Sequence, residues 1–237
     1  MPGYILHLTA AVMFLSGLPE THSLCLPEKS NAFFAGSLLP DAVKVKTASH
    51  FRNPAFFGNM VEYPELNLFL DKYGGLLEDA SALGYFFHLY IDRRFFKEYL
   101  PQVVSFLDEK GQIVQKKEKV VWAYLRKTKR RIPIREFYSE EYYYGDYTRM
   151  NTYLAERYKL PLELNVNLKN PGIEEVNYQK LDDILRELRG YLKVPVNAVR
   201  EVRVFDVEEL LAFLEEAAEE FRNNKYYFLD FDDDMLY

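Results

Sequence analysis

Cysteine is almost absent from this chain of 237 residues, which has Cys25 as its only thiol. An internal disulfide is therefore excluded, and a disulfide-stapled scaffold with it. Because free thiols are usual in reducing compartments, the composition favours a cytoplasmic location. Cys25 has no catalytic base beside it, since His22 three residues earlier is not a recognised partner. We expect a buried thiol rather than a nucleophile.

Long apolar runs are scarce as well. The amino-terminal segment MPGYILHLTAAVMFLSGLP is apolar, but no Lys or Arg precedes it and His7 interrupts it. We therefore expect the first helix of the mature protein rather than a signal peptide. No run of about 18 apolar residues occurs elsewhere, which argues against a membrane-spanning segment. With 49% apolar residues, the chain can bury a substantial core and should be soluble.

The formal net charge of −6 disfavours a general nucleic-acid binder. The charge is uneven, with a basic stretch from Lys110 to Arg135 and an acidic end from Glu208 onward. Both stretches are typical of solvated helix faces. The basic face is also of a kind that meets anionic lipid head groups, which leaves a peripheral membrane contact open.

Strand-like alternation is rare, whereas helical spacing of apolar residues recurs, so we predict an all-α fold. The predicted helices cover residues 4–16, 62–72, 76–100, 114–127, 140–159, 174–192 and 206–223. Loss of this periodicity and a terminal Pro-Gly make residues 160–172 the best linker. We therefore divide the chain into a core, residues 1–160, and a helical carboxy-terminal extension, residues 161–237, packed on that core.

Two carboxy-terminal segments are less clearly patterned. The stretch VNAVREVRVFD is compatible with one strand, in competition with a helix cap at Asp206. The last residues, FLDFDDDMLY, favour a flexible tail over a calcium loop, because the spacing of an EF-hand and its Gly and Glu are missing.

The most informative segment is LGYFFHLYIDRRFF, in which His88 and Asp92 stand four residues apart. On a helix both side chains share one face and can hold one ion. The surrounding residues are largely apolar, so Asp92 should be buried and needs a cationic partner. That partner is a metal, a protonated His88, or Arg93 or Arg94. A plain helix salt bridge is the alternative.

Histidine is scarce, and only His7, His22 and His50 accompany His88. The segment SLLPDAVKVKTASHFRNP places Asp41 directly after a proline, at a position typical of a helix or turn start, and His50 nine residues later. Each has an ordinary alternative, a helix cap for Asp41 and an exposed loop position for His50. Gly-rich phosphate loops, Walker motifs and a G-x-S-x-G elbow are absent.

Taken together, GSLLPDA, SHF and GYFFHLYID resemble the zinc-dependent phospholipase C family, whose helical fold is related to that of the S1/P1 nucleases. The resemblance covers residues 1 to 100 well. It implies a multi-helix bundle in which Asp41, His50, His88 and Asp92 bind one zinc ion. It also implies that His7 binds a second zinc ion together with Asp92, which would then bridge the two metals.

The chain departs from the family pattern in two places. No histidine follows His88, although the family has two more, and the chain begins Met1-Pro2 where the mature enzymes ligate metal through an amino-terminal Trp. A second metal would need a substitute ligand, for which Asp146 or a nearby tyrosine hydroxyl is a candidate.

The resemblance implies a metal-dependent phosphoric-ester hydrolase that acts on a phosphoester or phospholipid-like small molecule. In such a reaction Asp92 or Asp41 would be the base, and the phosphate would be bound by Arg93, Arg94 or Lys44. A lone zinc ion with four protein ligands lacks an open position, and two carboxylates neutralise its charge. The alternative is therefore a non-catalytic helical binding protein that keeps a structural metal site or none. Surface pairs with acidic residues are the more ordinary fate of Arg93 and Arg94. The sequence leaves the oligomeric state open.

Overall fold

The computed structural model describes residues 3–43 and 46–224. This part of the chain is mostly helical and carries one small antiparallel sheet, so the all-α prediction holds only in its coarse form. The helices are α1 (Tyr4–Ser16), α2 (Pro27–Leu38), α3 (Lys46–Ser49), α4 (Leu66–Tyr73), α5 (Ala80–Arg94), α6 (Leu100–Val103), α7 (Ile134–Phe137), α8 (Tyr143–Tyr158), α9 (Leu181–Tyr191) and α10 (Val207–Asn224). The strands are β1 (Val104–Leu107), β2 (Trp122–Leu125) and β3 (Arg130–Pro133), in the order β1-β2-β3.

The helix predicted over residues 114–127 is wrong. In β2 the buried residues Ala123 and Leu125 alternate with the half-buried Trp122 and Tyr124, which is the period of a strand. Lys129 then takes a left-handed backbone conformation, with φ 52°, in the turn to β3. Aromatic and β-branched residues fit such a pleated surface, and the helical spacing seen in the sequence was coincidental.

Helices α2 and α5 approach unusually closely, and a glycine on each helix makes this possible. A Cβ at Gly36 would lie 2.0 Å from the Ser81 carbonyl oxygen, and one at Gly84 would lie 2.1 Å from the Phe33 carbonyl oxygen. Only a residue without a side chain fits at either place. Helix α2 was missed from the sequence, although Pro27 stands at its first turn, where proline is favoured.

The carboxy-terminal helix α10 packs against α1 and α5. Phe221 on α10 meets Phe14 on α1 and Phe87 on α5 at ring-centroid distances of 5.5 Å and 5.0 Å. Asp206 caps this helix by accepting hydrogen bonds from the amides of Glu208 and Glu209. The alternative of a strand is wrong, since Val196–Glu201 forms a 3-10 helix.

Residues 160–172, predicted to be a linker, contain no helix or strand. Cys25 is half-buried rather than buried, and its thiol donates to the Pro19 carbonyl oxygen over 3.5 Å.

The predictions for the acidic tail concern residues outside the described ranges. Among the described helices, none is both long and apolar enough to cross a membrane.

Candidate metal centre

The five side chains predicted as metal ligands come together in one buried cluster. Helix α1 supplies His7, the turn after α2 supplies Asp41, and His50 follows α3 directly. Helix α5 supplies His88 and Asp92. The exposed fraction is 8% for Asp41 and 1% or less for the other four, so His50 is not the exposed loop residue of the alternative interpretation.

The two central imidazoles face each other with their lone pairs. His88 Nδ1 donates to the Ser37 carbonyl oxygen over 2.9 Å, and His50 Nδ1 donates to the Lys46 carbonyl oxygen over 3.1 Å. A carbonyl only accepts, and the Ser49 hydroxyl, 3.0 Å from His50 Nδ1, donates its own proton to the Pro40 carbonyl oxygen over 2.9 Å, so both ring protons are on Nδ1 when the rings are neutral. The Nε2 atoms of His50 and His88 then point lone pairs at each other across 3.2 Å, an arrangement that a proton or a metal ion between them would stabilise.

Asp92 adds negative charge to this set of acceptors. Its Oδ2 lies 3.5 Å from His50 Nε2 and 3.9 Å from His88 Nε2, and its Oδ1 lies 3.3 Å from His7 Nε2. Neither carboxylate oxygen of Asp92 and neither ring nitrogen of His7 has an aligned hydrogen-bond partner within the described residues. Burying a carboxylate without a hydrogen-bond partner or a counter-ion costs several kcal/mol of folding free energy.

Three side chains of the cluster have ionisation states suited to metal ligation. Burial, reinforced by the charge of His7, lowers the pKa of His88 to about 3, which leaves its ring neutral and able to ligate. Burial alone would raise the pKa of Asp92, but the neighbouring histidines, His7 foremost, hold it below its usual value. Burial opposes ionisation of Asp41 too, yet His50, His88 and Lys46 hold its pKa well below normal.

These features fit a divalent cation. Two overlapping groups, His7 with His88 and Asp92, and Asp41 with His50 and His88, each place their ligand atoms within 4.8 Å of one another. Ligating histidines usually donate their second ring nitrogen to a backbone carbonyl or carboxylate, as His50 and His88 do here. The geometry makes His88 common to both groups, whereas the family resemblance assigns the bridging position to Asp92.

A cleft of about 1030 Å³ opens above the cluster, and Asp41 and Lys46 lie in its wall. Lys46 Nζ is 2.5 Å from Asp41 Oδ1 and is one-third exposed. Sequence reasoning named Lys44, which lies outside the described residues, and missed Lys46. Its position five residues after Asp41, on the short helix before His50, is a signal only once that helix is known.

Tyrosines form much of the cleft, namely Tyr4, Tyr138, Tyr143, Tyr144, Tyr147 and Tyr191. The Tyr147 hydroxyl is buried near Tyr143 and has no well-aligned hydrogen-bond partner within the described residues. Burial, with Tyr143 and the charge of Asp92 adding to it, raises the pKa of Tyr147 well above its usual value. The phenol therefore keeps its proton and is available as a donor.

Asp146 is not part of the cluster, which corrects its suggested role as a substitute ligand. Its carboxylate accepts hydrogen bonds from the amides of Arg203, Val204 and Phe205, and it pairs with Arg149. The residue thus fixes the segment before α10 to α8. Its position in the predicted helix gave no indication of these distant amides.

Arg93 and Arg94 form ion pairs away from the metal centre. The guanidinium of Arg93 donates to Glu65 and to the Pro64 carbonyl oxygen. Arg94 pairs with Glu98 and Glu220. Neither residue lines the cleft, so the assignment of either one to a bound phosphate is wrong and the expectation of acidic partners is confirmed.

Comparison of the chain with protein-family models, with curated proteins and with solved structures gave no match.

Proposed function

We propose that the protein is a metal-dependent phosphoric-ester hydrolase of the phospholipase C type. The observation that carries the proposal is the buried pair of facing Nε2 atoms on His50 and His88, 3.2 Å apart, with carboxylates beside them. Zinc is the metal proposed, because imidazole and carboxylate are its usual ligands in hydrolytic sites. Asp41, His50, His88, Asp92 and His7 would hold one or two ions.

A divalent metal bound there supplies positive charge for phosphoryl oxygens and makes a water molecule more acidic. The protein supplies the remaining functions. Asp41 is the one ligand that lines the cleft, and its depressed pKa keeps the carboxylate ionised, so that it can accept a hydrogen bond from a water molecule and orient it. Asp92 lies deeper, fully buried, and serves to orient the histidines.

Lys46 and Tyr147 are suited to holding the substrate phosphate. Lys46 Nζ stands beside Asp41 on the cleft wall, where an anionic phosphoryl group would arrive. The phenol of Tyr147, which keeps its proton, offers a neutral hydrogen-bond donor from the aromatic lining of the cleft. The many aromatic and aliphatic side chains favour a phosphoester with a sizeable apolar part, such as a phospholipid.

The order of the ligand residues along the chain also supports a phospholipase C or P1 nuclease-like bundle over residues 1–160, with residues 161–237 as an extension packed on it. The three-stranded sheet is an addition to that bundle. A single cysteine supports a cytoplasmic location.

The test is hydrolysis of bis(p-nitrophenyl) phosphate and of phosphatidylcholine by the zinc-loaded protein, with Lys46→Met as the variant. Loss of a charge that binds the phosphoryl group should lower kcat/KM by about 100-fold. Loss of the ion pair with Asp41, whose side chain is almost fully buried, should also lower the melting temperature, so turnover is compared at a temperature at which every variant is folded. Lys169→Met, at an exposed position outside the cleft, is the matched control. Equal turnover by both variants would remove Lys46 from the site.

A structural metal is the second candidate, and the complete burial of His50, His88 and Asp92 favours it. The two functions differ in their response to a chelator. Removal of a structural ion should lower the melting temperature sharply, while removal of a catalytic ion should abolish turnover with a smaller loss of stability. Absence of turnover on either substrate, together with a large stability loss, would favour the structural role.

A further inference from the structure

The small sheet has an outer face whose side chains form an apolar row. Leu107, Trp122 and Pro133 are directly opposite one another across the three strands, and Ile113 pairs with Leu107 beyond the edge. Paired residues in antiparallel strands project to the same side. The neighbouring residues Val104, Phe106, Ala123, Leu125 and Ile132 are buried, so the row lies on the face turned away from the core.

This row is accessible to a partner. Ile113 is 72% exposed, the highest value among the large hydrophobic residues described, and the other three are half-buried. Tyr124 and Arg131 occupy the next position on the same face. The Arg131 guanidinium lies 4.7 Å from the centre of the Trp122 ring. An aliphatic side chain exposed to this extent, on the same face as a tryptophan and a tyrosine, is typical of an interaction surface.

The sheet and its turns also carry a concentrated positive charge. Residues 110–135 contain one acidic residue, Glu118, against ten basic residues, all of them exposed: Lys110, Lys116, Lys117, Lys119, Arg126, Lys127, Lys129, Arg130, Arg131 and Arg135. Within the described ranges none of the ten forms an ion pair, whereas many other cations of the protein are paired. In a chain of net charge −6, this segment is a local concentration of positive charge that would attract an anionic partner.

Two of these cations lie demonstrably on or beside the outer face. Arg126 donates to the Ser105 hydroxyl, and Ser105 is opposite Tyr124 on that face. The Arg131 guanidinium comes within 3.9 Å of the Cβ position of Gly111, in the turn that also contains Lys110. The apolar row is therefore flanked by basic residues at the turn and along the strand.

We propose that this face, formed by Ile113, Leu107, Trp122 and Tyr124 with the surrounding Lys and Arg residues, docks on an anionic lipid surface. Tryptophan and tyrosine favour the level of the lipid head groups, and basic residues are attracted to an anionic leaflet. A nucleic acid would satisfy the cations but leave Ile113 and Leu107 in water. Docking depends on neither the metal centre nor hydrolysis, although Lys117 of the same basic segment also lines the cleft.

Trp122 is the only tryptophan of the chain, so its fluorescence reports on this face alone. The full-length protein is mixed with vesicles of phosphatidylcholine, or of phosphatidylcholine with phosphatidylserine, and binding is measured by co-sedimentation. We expect binding and a blue shift of the emission with the anionic vesicles, and a loss of both at high salt. Binding that is equal on neutral vesicles would overturn the electrostatic part of the proposal.

Variants separate lipid docking from attraction to any polyanion. Ile113→Ser should weaken binding to anionic vesicles about tenfold, because its side chain would no longer be buried in lipid. The pair Lys110→Gln and Arg126→Gln should weaken it roughly fivefold for each charge removed. The control pair Lys169→Gln and Lys193→Gln removes the same charge elsewhere and should leave binding unchanged.

All these positions are exposed, so each variant should melt like the wild type. If Ile113→Ser binds the vesicles as tightly as the wild type, or if both charge pairs weaken binding equally, the face is not the docking surface. If single-stranded DNA binds as tightly as the anionic vesicles and produces the same blue shift, the partner is a nucleic acid and the lipid proposal is wrong.

Discussion

Replacing Gly84 with alanine should disturb the metal centre from one helical turn away. The new methyl carbon would lie 2.1 Å from the Phe33 carbonyl oxygen, whereas carbon and oxygen normally approach to about 3.3 Å. The obstructing atom belongs to the backbone of α2, so the two helices must separate by roughly 1 Å. His88 follows Gly84 by four residues, and its hydrogen bond of 2.9 Å to the Ser37 carbonyl oxygen crosses the same contact.

The expected energy follows from three contributions. Overpacking costs about 1–3 kcal/mol, and loss of the His88 hydrogen bond costs about 1 kcal/mol. Replacing glycine in a helix returns about 1 kcal/mol. The net loss of roughly 2 kcal/mol in the free energy of unfolding corresponds to a fall in melting temperature of about 4–8 °C for a chain of this size.

The assay is thermal unfolding combined with a zinc titration against a competing chelator. Zinc affinity should fall about 10–100-fold, because the carbonyl that orients His88 is displaced. Gly190→Ala is the matched control, since Gly190 also lies in a helix but has no atom within 4 Å of its Cβ position. If Gly84→Ala melts no lower than Gly190→Ala and binds zinc like the wild type, the close helix contact does not support the site.

Two other perturbations test neighbouring parts of the structure. Asp146→Ala should lower the free energy of unfolding by about 2–3 kcal/mol, because three backbone amides lose their acceptor. Its metal content should equal that of the exposed control Asp182→Ala. A loss of metal from Asp146→Ala would contradict the placement of Asp146 outside the metal centre. For the metal-free protein, urea unfolding should show stability falling as the pH drops below about 6.5, by about 1.4 kcal/mol at pH ~5.5. His88, with a pKa of about 3 in the folded protein, stays neutral at this pH, whereas the same histidine binds a proton in the unfolded chain. An unfolding free energy that is the same at pH ~7.5 and at pH ~5.5 would contradict this depressed pKa of His88.

The sequence predicted the ligand cluster better than it predicted the fold around it. His88 and Asp92 share a helix, so their four-residue spacing sets their geometry locally. Helix α1 was also predictable, because its apolar residues are nearly continuous and a proline follows its end. The convergence of His7, Asp41 and His50 on that pair depended instead on tertiary packing, and only the resemblance to a family indicated it.

Other features had no local signal. The acceptor role of Asp146 depends on amides 57 to 59 residues away, and the ion pair of Lys46 depends on a short helix that has no periodicity to detect. Strand β2 was misread as a helix, and β1 and β3 were missed, because strands of four residues give too few alternations to exceed the helical pattern. Short-range patterns therefore predicted long elements, and the small sheet with its basic outer face became apparent only in three dimensions.

The central claim is that a cation belongs between the facing nitrogens of His50 and His88. Elemental analysis of the purified wild-type protein, compared with His88→Ala and with His22→Ala as a control outside the cluster, tests it most directly. We expect at least about one zinc or other divalent ion per chain in the wild type and the control, and almost none in His88→Ala. A wild-type protein that stays metal-free after incubation with zinc, and a His88→Ala variant that folds with unchanged stability, would contradict the claim.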